Sequence, residues 1–238
     1  MKANPSMILR ALIIKEIRAL FVSPIAYAVA AVFLLLSGYS FAITLLTSKQ
    51  ASLVHIFFQS AMQLVLLVPL LTMRQFAEER RAGTLELLLS SPVPEIDIVL
   101  AKFVGAMTLL VSMIGLTFTY ALILGTYGNP DWGPVYSGYL GLILLGGALV
   151  AIGLTVSALT ANQIVAAVVS LGVFGVLWAI DSLAALLPAP VDNWFVGLSL
   201  LARFTPFAVG AMYISDFGFF LSVILLGLFL TVRALARR

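Results

Sequence analysis

PIAYAVAAVFLLLSGYSFAITLL, residues 24–46, presents 23 successive positions without a charged side chain. One helical crossing of a bilayer core needs ~20 predominantly apolar residues, whereas runs of ~10–14 are typical of buried core helices. Basic residues stand ahead of the run (Lys2, Arg10, Lys15, Arg18) as they do ahead of a signal peptide. The apolar part of a signal peptide, however, is only ~7–15 residues long. The stretch therefore reads as a retained first membrane span.

Composition extends that reading to the whole chain of 238 residues. It is 62% hydrophobic and 10% charged, with a mean hydropathy of +1.15. Soluble domains hold ~45–50% apolar and ~25% charged residues. So few charges cannot solvate that much apolar surface, which excludes a soluble enzyme and a disordered tail. Further uncharged apolar stretches fall at 51–73, 103–126, 135–159, 164–180 and 217–232. All are read as helices, because an isolated strand in lipid leaves its backbone polar groups unsatisfied. The expectation is an all-α integral membrane protein of six transmembrane helices in one domain, with no internal repeat and no linker to a second domain. The absence of cysteine excludes disulfides and thiolate metal sites.

Charge sets the orientation. With the N-terminus inside, 4 basic residues lie in 1–23, 4 lie in 74–102 and 3 follow 232, which is 11 of 13; only Lys49 and Arg203 fall outside. This is the positive-inside pattern and predicts N-in, C-in. It also accounts for the net charge of +3 by membrane topology, with no nucleic-acid partner. A seventh span at 194–214 is disfavoured by Arg203 and Pro206, since a central arginine costs ~2.5–3.5 kcal/mol on insertion scales. That stretch is expected as an outer-face helical segment within 181–216, either re-entrant or lying on the surface, with Asp181 and Asp216 at its ends.

Residues 7–21 read as an amphipathic helix in the inner interface. Leu9, Ile13, Ile17 and Leu20 share one face while Arg10, Lys15 and Arg18 gather on the other. Ser23-Pro24 breaks it before the chain enters the bilayer. Within the first inner loop, 74–102, the adjacent pairs Glu78-Glu79 and Arg80-Arg81 exceed what topology alone requires. Gly83 is expected to stop one helix. Thr84 is expected to cap a second short helix, with Glu86 in its first turn and Ser91-Pro92 ending it. Leu85, Leu88 and Leu89 would then be exposed beside a charged shoulder, as an element that fits a groove in a partner.

The stretch 78–93 resembles the signature that follows the second of six spans in ABC-2 type transporter permeases. Lys15, Glu16, Phe21, Ser23, Pro24, Ala26 and Tyr27 are similar to the gliding-motility-associated permeases, with the nitrous-oxide-reductase-maturation permeases close by. The resemblance implies a half-transporter membrane subunit of the bacterial cytoplasmic membrane. It would pair with a second permease chain, identical or sibling, and 7–21 would be its elbow helix. The loop would be a coupling helix docked on a separate ATPase, present in two copies and holding ATP and magnesium. Glu78, Glu79, Arg80, Arg81, Gly83, Thr84, Leu85, Glu86, Leu88 and Leu89 would form that contact. The outer segment would match the family's extracellular helices, with Trp194, Arg203 and Phe204 as its outer gate. Membrane lipid and an accessory extracytoplasmic protein complete the partners that it implies.

Independently of that resemblance, a P-loop needs GxxxxGK[ST]. The four lysines precede Ala3, Glu16, Gln50 and Phe103, so ATP must be hydrolysed by another chain, and this one is expected to hold no cofactor. In the second span His55, Gln59 and Gln63 recur at i, i+4 and i+8 on one stripe. Two readings stand: the stripe lines a conduit near a dimer axis, or the glutamines bond neighbouring helices while His55 sits at the outer interface. Gly147/Ala151 and Gly153/Ser157 permit close packing, most simply within the chain. One histidine, no HExxH, no GxSG and no intramembrane aspartate pair exclude an intramembrane protease. A mechanotransmission or assembly subunit with an ATPase partner, and an ATP-independent channel or scramblase, remain as alternatives to transport. The cargo is not encoded in composition.

Overall fold

The computed structural model describes residues 5–48, 52–89, 93–184 and 191–236. Lys2, Lys49, Ser91-Pro92, Arg237 and Arg238, used for topology or as a helix stop, lie outside the described residues. Among those described there are helices and no strands. In chain order they are α1 (Pro5–Val22), α2 (Pro24–Ser48), α3 (Val54–Thr72), α4 (Ala77–Arg81), α5 (Thr84–Leu89) and α6 (Glu95–Leu116). There follow α7 (Phe118–Tyr127), α8 (Trp132–Leu159), α9 (Gln163–Ala184), α10 (Val191–Leu198), α11 (Leu200–Val209) and α12 (Ile214–Ala236). Among the described residues, six helical stretches are long and apolar enough to cross a membrane: Pro24–Thr47, Val54–Arg81, Glu95–Thr126, Trp132–Leu159, Gln163–Ser182 and Ile214–Ala236. Each contains or overlaps one of the six expected spans.

The helices divide into an inner and an outer set. α3, α6 and α8 bury most of their surface, whereas α2, α9 and α12 leave broad apolar faces exposed, among them Val168, Val176, Leu225 and Phe229. The interior helices are rich in small residues because their backbones nearly touch. A Cβ at Gly227 of α12 would lie 2.9 Å from the backbone of Ala151 in α8, and one at Gly147 would lie 3.0 Å from Ile224. Gly153 of α8 has Thr72 of α3 directly against it. Gly147, Ala151, Gly153 and Ser157 all serve packing within the chain, the simpler of the readings available for them. Contacts of Phe57 with Gly138 and Thr72 with Gly153 show that α3 and α8 run in the same direction; Gly147 with Ile224 and Thr155 with Thr231 show the same for α12. α6 runs the opposite way, with Leu110 on Gly146 and Thr117 near Tyr139. Pro69 sits inside α3 without ending it.

Among the described residues between α9 and α12, no helix is long enough for a seventh span. α10 has 8 residues and α11 has 10, too few for the ~20 of a crossing. Ser199 separates them, its hydroxyl accepting from the Ala202 N–H at 3.1 Å as an N-cap. Gly210, with φ of 93°, ends α11 in the left-handed conformation that favours glycine. Asn162 fills the turn between α8 and α9, where its side-chain oxygen accepts from the Ile164 N–H at 2.9 Å.

Gly153→Ala is expected to lower the melting temperature in mild detergent, because overpacking against Thr72 costs about 1–3 kcal/mol. Gly175→Ala in α9 meets nothing within 4 Å. It should leave the melting temperature unchanged or raise it, alanine being favoured over glycine in a helix by up to ~1 kcal/mol. Equal shifts of the two variants in differential scanning fluorimetry would show that the α3–α8 contact is not tight.

Candidate functional site

The end of the bundle where α3 and α8 finish and α6 begins holds a buried charge. Lys102 lies two turns into α6, with its side chain 2% exposed. A lone ammonium there would cost several kcal/mol in lost hydration. Three groups offset that cost. The Lys102 Nζ donates to Glu79 Oε1 at 2.7 Å and to Glu16 Oε2 at 3.3 Å, and it stands 5.2 Å from the centre of the Phe76 ring. Glu16 belongs to α1 and Glu79 to α4, so one lysine joins three helices that are separate in sequence.

Local structure brings each partner in. Glu16 falls on the same face of α1 as Leu9, Ile13 and Leu20, and that face packs on α6. Gly105, one turn beyond Lys102, makes room for it, since a Cβ there would lie 3.1 Å from the Glu16 Cβ. Arg10, Lys15 and Arg18 are exposed on the opposite side, with Lys15 reaching back to Glu16 at 3.4 Å. α4 is fixed by α8. The Phe76 and Ala77 N–H groups, which a helix start leaves unpaired, donate to Ser157 Oγ at 3.1 and 3.2 Å, and Ser157 Oγ donates to the Met73 carbonyl at 3.1 Å.

Gly83 adopts φ of 69° between α4 and α5, the expected helix stop. Nothing lies within 4 Å of a Cβ there, so the backbone conformation requires glycine rather than the space. Two details differ from expectation. Thr84 is the first residue of α5, and its hydroxyl donates to the Glu79 carbonyl at 3.2 Å, which folds α5 back on α4. Leu85 is buried in the chain's own core because α5 turns that face inward. The side chains of Leu88 and Leu89 lie outside the described residues. Among the described side chains of the loop, Glu78, Arg81 and Glu86 are exposed and Arg80 is half-buried.

A cavity of about 320 Å³ lies beside the node. It opens where α1 meets α2, and its lining includes Glu16, Arg74, Glu78, Glu79 and Lys102.

The stripe on α3 does not keep one environment. His55 is exposed, Gln59 half-buried and Gln63 buried. Gln63 Oε1 accepts from Ser37 Oγ of α2 at 2.9 Å, so this residue bonds a neighbouring helix. Trp194, Arg203 and Phe204 also part company. Trp194 is 78% exposed, while Phe204 is fully buried and packs edge-on against Phe58. Arg203 Nη1 donates to Asp216 Oδ1 at 2.7 Å and its Nε to the Gly197 carbonyl at 3.2 Å. Asp216, expected as an interface marker, is buried as the counterion of Arg203.

Glu16, Lys102, Ser157 and Asp216 are the residues that the sequence reading did not assign to these roles. Glu16 was legible as the one acidic residue on an apolar helix face. The fit of Ser157 to a helix start 81 residues away leaves no local signal.

Residues 10–232 match a family model described as ABC-2 family transporter protein. No curated protein matches the chain.

Lys102→Met removes the cation between Glu16 and Glu79, and breaking a buried ion pair from one side costs about 3–5 kcal/mol. A large fall in thermal stability is expected. The triple variant Lys102→Met, Glu16→Leu, Glu79→Gln removes the uncompensated charge and should recover most of it. A double-mutant cycle on Lys102→Met and Glu16→Gln that gives no coupling energy would contradict the pairing.

Proposed function

The chain belongs to the ABC-2 family of transporter proteins, which makes it a membrane permease of an ABC transporter, and on that premise we propose that it exports its substrate across a bacterial cytoplasmic membrane. ATP is hydrolysed by a separate ATPase chain in two copies, each holding ATP and magnesium, and two permease chains pair across the conduit. The topology is N-in, C-in. α1 is the elbow helix and α4–α5 the coupling element. The subgroup resemblance of 15–27 to gliding-motility-associated and nitrous-oxide-reductase-maturation permeases belongs to the same reading.

The observation that carries it is the seating of α4 on the buried lysine. An ATPase that pulls or pushes the polar surface of Glu78, Arg81 and Glu86 moves α4. Glu79 cannot leave Lys102 without exposing a buried charge, so the displacement passes to α6 through Lys102 and to α1 through Glu16. The other end of α4 is bonded to α8 through Ser157. Three helices, α1, α6 and α8, therefore respond to one short element, as expected where interiors are close-packed and resist continuous deformation. On the outward face of α3, His55 and Gln59 supply polar groups for a solute path. Gln63 is already bonded to Ser37.

The test separates docking from folding. Arg81→Glu with Glu86→Lys alters only exposed side chains, so membrane insertion and melting temperature should stay as in the wild type. Recovery of a P-loop ATPase in detergent pull-down should fall about tenfold, the consequence of losing ~1.4 kcal/mol of binding, and transport should fall with it. Undiminished recovery of the ATPase would remove α4–α5 from the contact. Gln59→Leu should change transport in vesicles while ATPase recovery stays constant; unchanged transport would leave that residue a packing role.

A further inference from the structure

The space between α9 and α12 is filled by protein over only part of its length. Both helices pack on α8, and they make at most marginal contact with each other. Toward the Trp132 end of α8 the pair α10–α11 lies between them. α10 packs on α9, while α11 touches α8, α9 and α12. α11 runs antiparallel to α8: Gly210 stands against Pro134, and the Phe207 carbonyl accepts from Ser137 Oγ at 2.7 Å. The pair breaks at Ser199. Leu198 and Leu200, on either side of that break, line a cleft of about 260 Å³ with Ile152 and Val156 of α8, Leu177 of α9 and Val223 of α12. Those last four are half-buried. Leu226 and Leu230, also in the lining, are 57% and 44% exposed.

Nothing in the cleft holds water. Among its described lining residues Thr155 alone has a polar side chain. Its hydroxyl is already engaged by the Ala151 and Gly227 carbonyls at 3.0 and 2.9 Å and by Thr231 at 3.1 Å. A buried water needs ~2–4 polar partners, and a dry apolar cavity of ~150 Å³ already takes up an apolar molecule. Left empty, the walls would forfeit their dispersion contacts. One turn of a helix, ~10 Å across and ~5.4 Å long, is larger than the cleft, so a helix of a second copy does not enter it. The occupant must be apolar, slim and flexible. The helices that flank the cleft are long and apolar enough to cross a bilayer, whose hydrocarbon supplies such a group.

We propose that this cleft is a resident site for one acyl chain of a membrane phospholipid, entering past Leu226 and Leu230. The chain completes the space that α10–α11 fill toward the other end, so the break at Ser199 rests against lipid. Within hydrocarbon the attraction is van der Waals packing on several sides. No charged residue belongs to the described lining, so the site reads the chain and is indifferent to the headgroup. The inference rests on the apolar helices crossing a bilayer and not on the ATPase assignment.

The full chain in lipid nanodiscs that contain a phosphatidylcholine with a diazirine midway along one acyl chain gives the test. After irradiation, peptide mass spectrometry should find label on the recessed Ile152 and Val156 at a level similar to that on the exposed Leu225. Val223→Phe fills the cleft from α12 and should lower labelling of Ile152 about tenfold, equivalent to ~1.4 kcal/mol of lost chain packing. Labelling of Leu225 should not change. Val156→Phe, from the opposite wall, should lower labelling of Ile152 likewise, and an unchanged or raised melting temperature would show that either variant is folded. Probes with phosphatidylglycerol or phosphatidylethanolamine headgroups should give the same pattern. An unlabelled Ile152 in the wild type would overturn the proposal, as would labelling that neither variant reduces. Labelling confined to one headgroup would overturn the chain as the group recognised. An unlabelled Ile152 together with loss of dimer in the two variants would assign the cleft to a side chain of a second copy instead. The readout needs neither ATPase nor transport, so failure of the transport reading would leave this result standing.

Discussion

An ammonium group two turns inside α6 with only 2% of its side chain exposed is largely stripped of hydration, and this constraint organises one whole end of the molecule. Lys102 must have counterions, and α6 supplies none near it; they come from α1 and α4. Once Glu16 is committed, α1 is pinned along α6, with Gly105 letting the helices approach. Once Glu79 is committed, α4 takes a fixed position under the bundle, and Gly83 must turn α5 back so that Leu85 is buried. Glu78, Arg81 and Glu86 are left outward by these choices.

At the opposite end the same physics recurs on a smaller scale. Arg203 would be costly in the middle of an apolar stretch. It is accommodated because α10 and α11 are short and broken at Ser199, which directs it onto Asp216 and over the Phe219 ring at 5.4 Å. Between these two charged ends the interior helices touch through glycine, alanine, serine and threonine, with little room for independent movement. The helices that carry exposed apolar faces lie around them. α4 is therefore tied to a closely packed interior by an ion pair and by the Ser157 bonds.

The six spans were legible in the sequence because hydrocarbon imposes a length and forbids charges, and neither condition depends on tertiary contacts. Gly83 was legible for a similar reason, since left-handed backbone favours glycine wherever it occurs. Thr84 and Leu85 went differently because their environment depends on how α5 folds against α4 and the core, which no local pattern specifies. The α3 stripe was periodic in sequence, yet Gln63 was claimed by Ser37 of α2 while His55 stayed exposed. Periodicity assigns a face and leaves open what that face meets.

By itself the sequence determined the class, the number of apolar helices, the break at Ser23-Pro24 and the unusual density of charge in the first long loop. These follow from hydration and backbone chemistry acting over neighbouring residues. Tertiary structure alone decided that Lys102 joins Glu16 and Glu79, that Ser157 completes the start of α4, and that Asp216 answers Arg203. Each of these pairings spans from 13 to 86 residues. A buried charge or an unpaired N–H must be satisfied, but the sequence does not say which distant group will come within 3 Å of it.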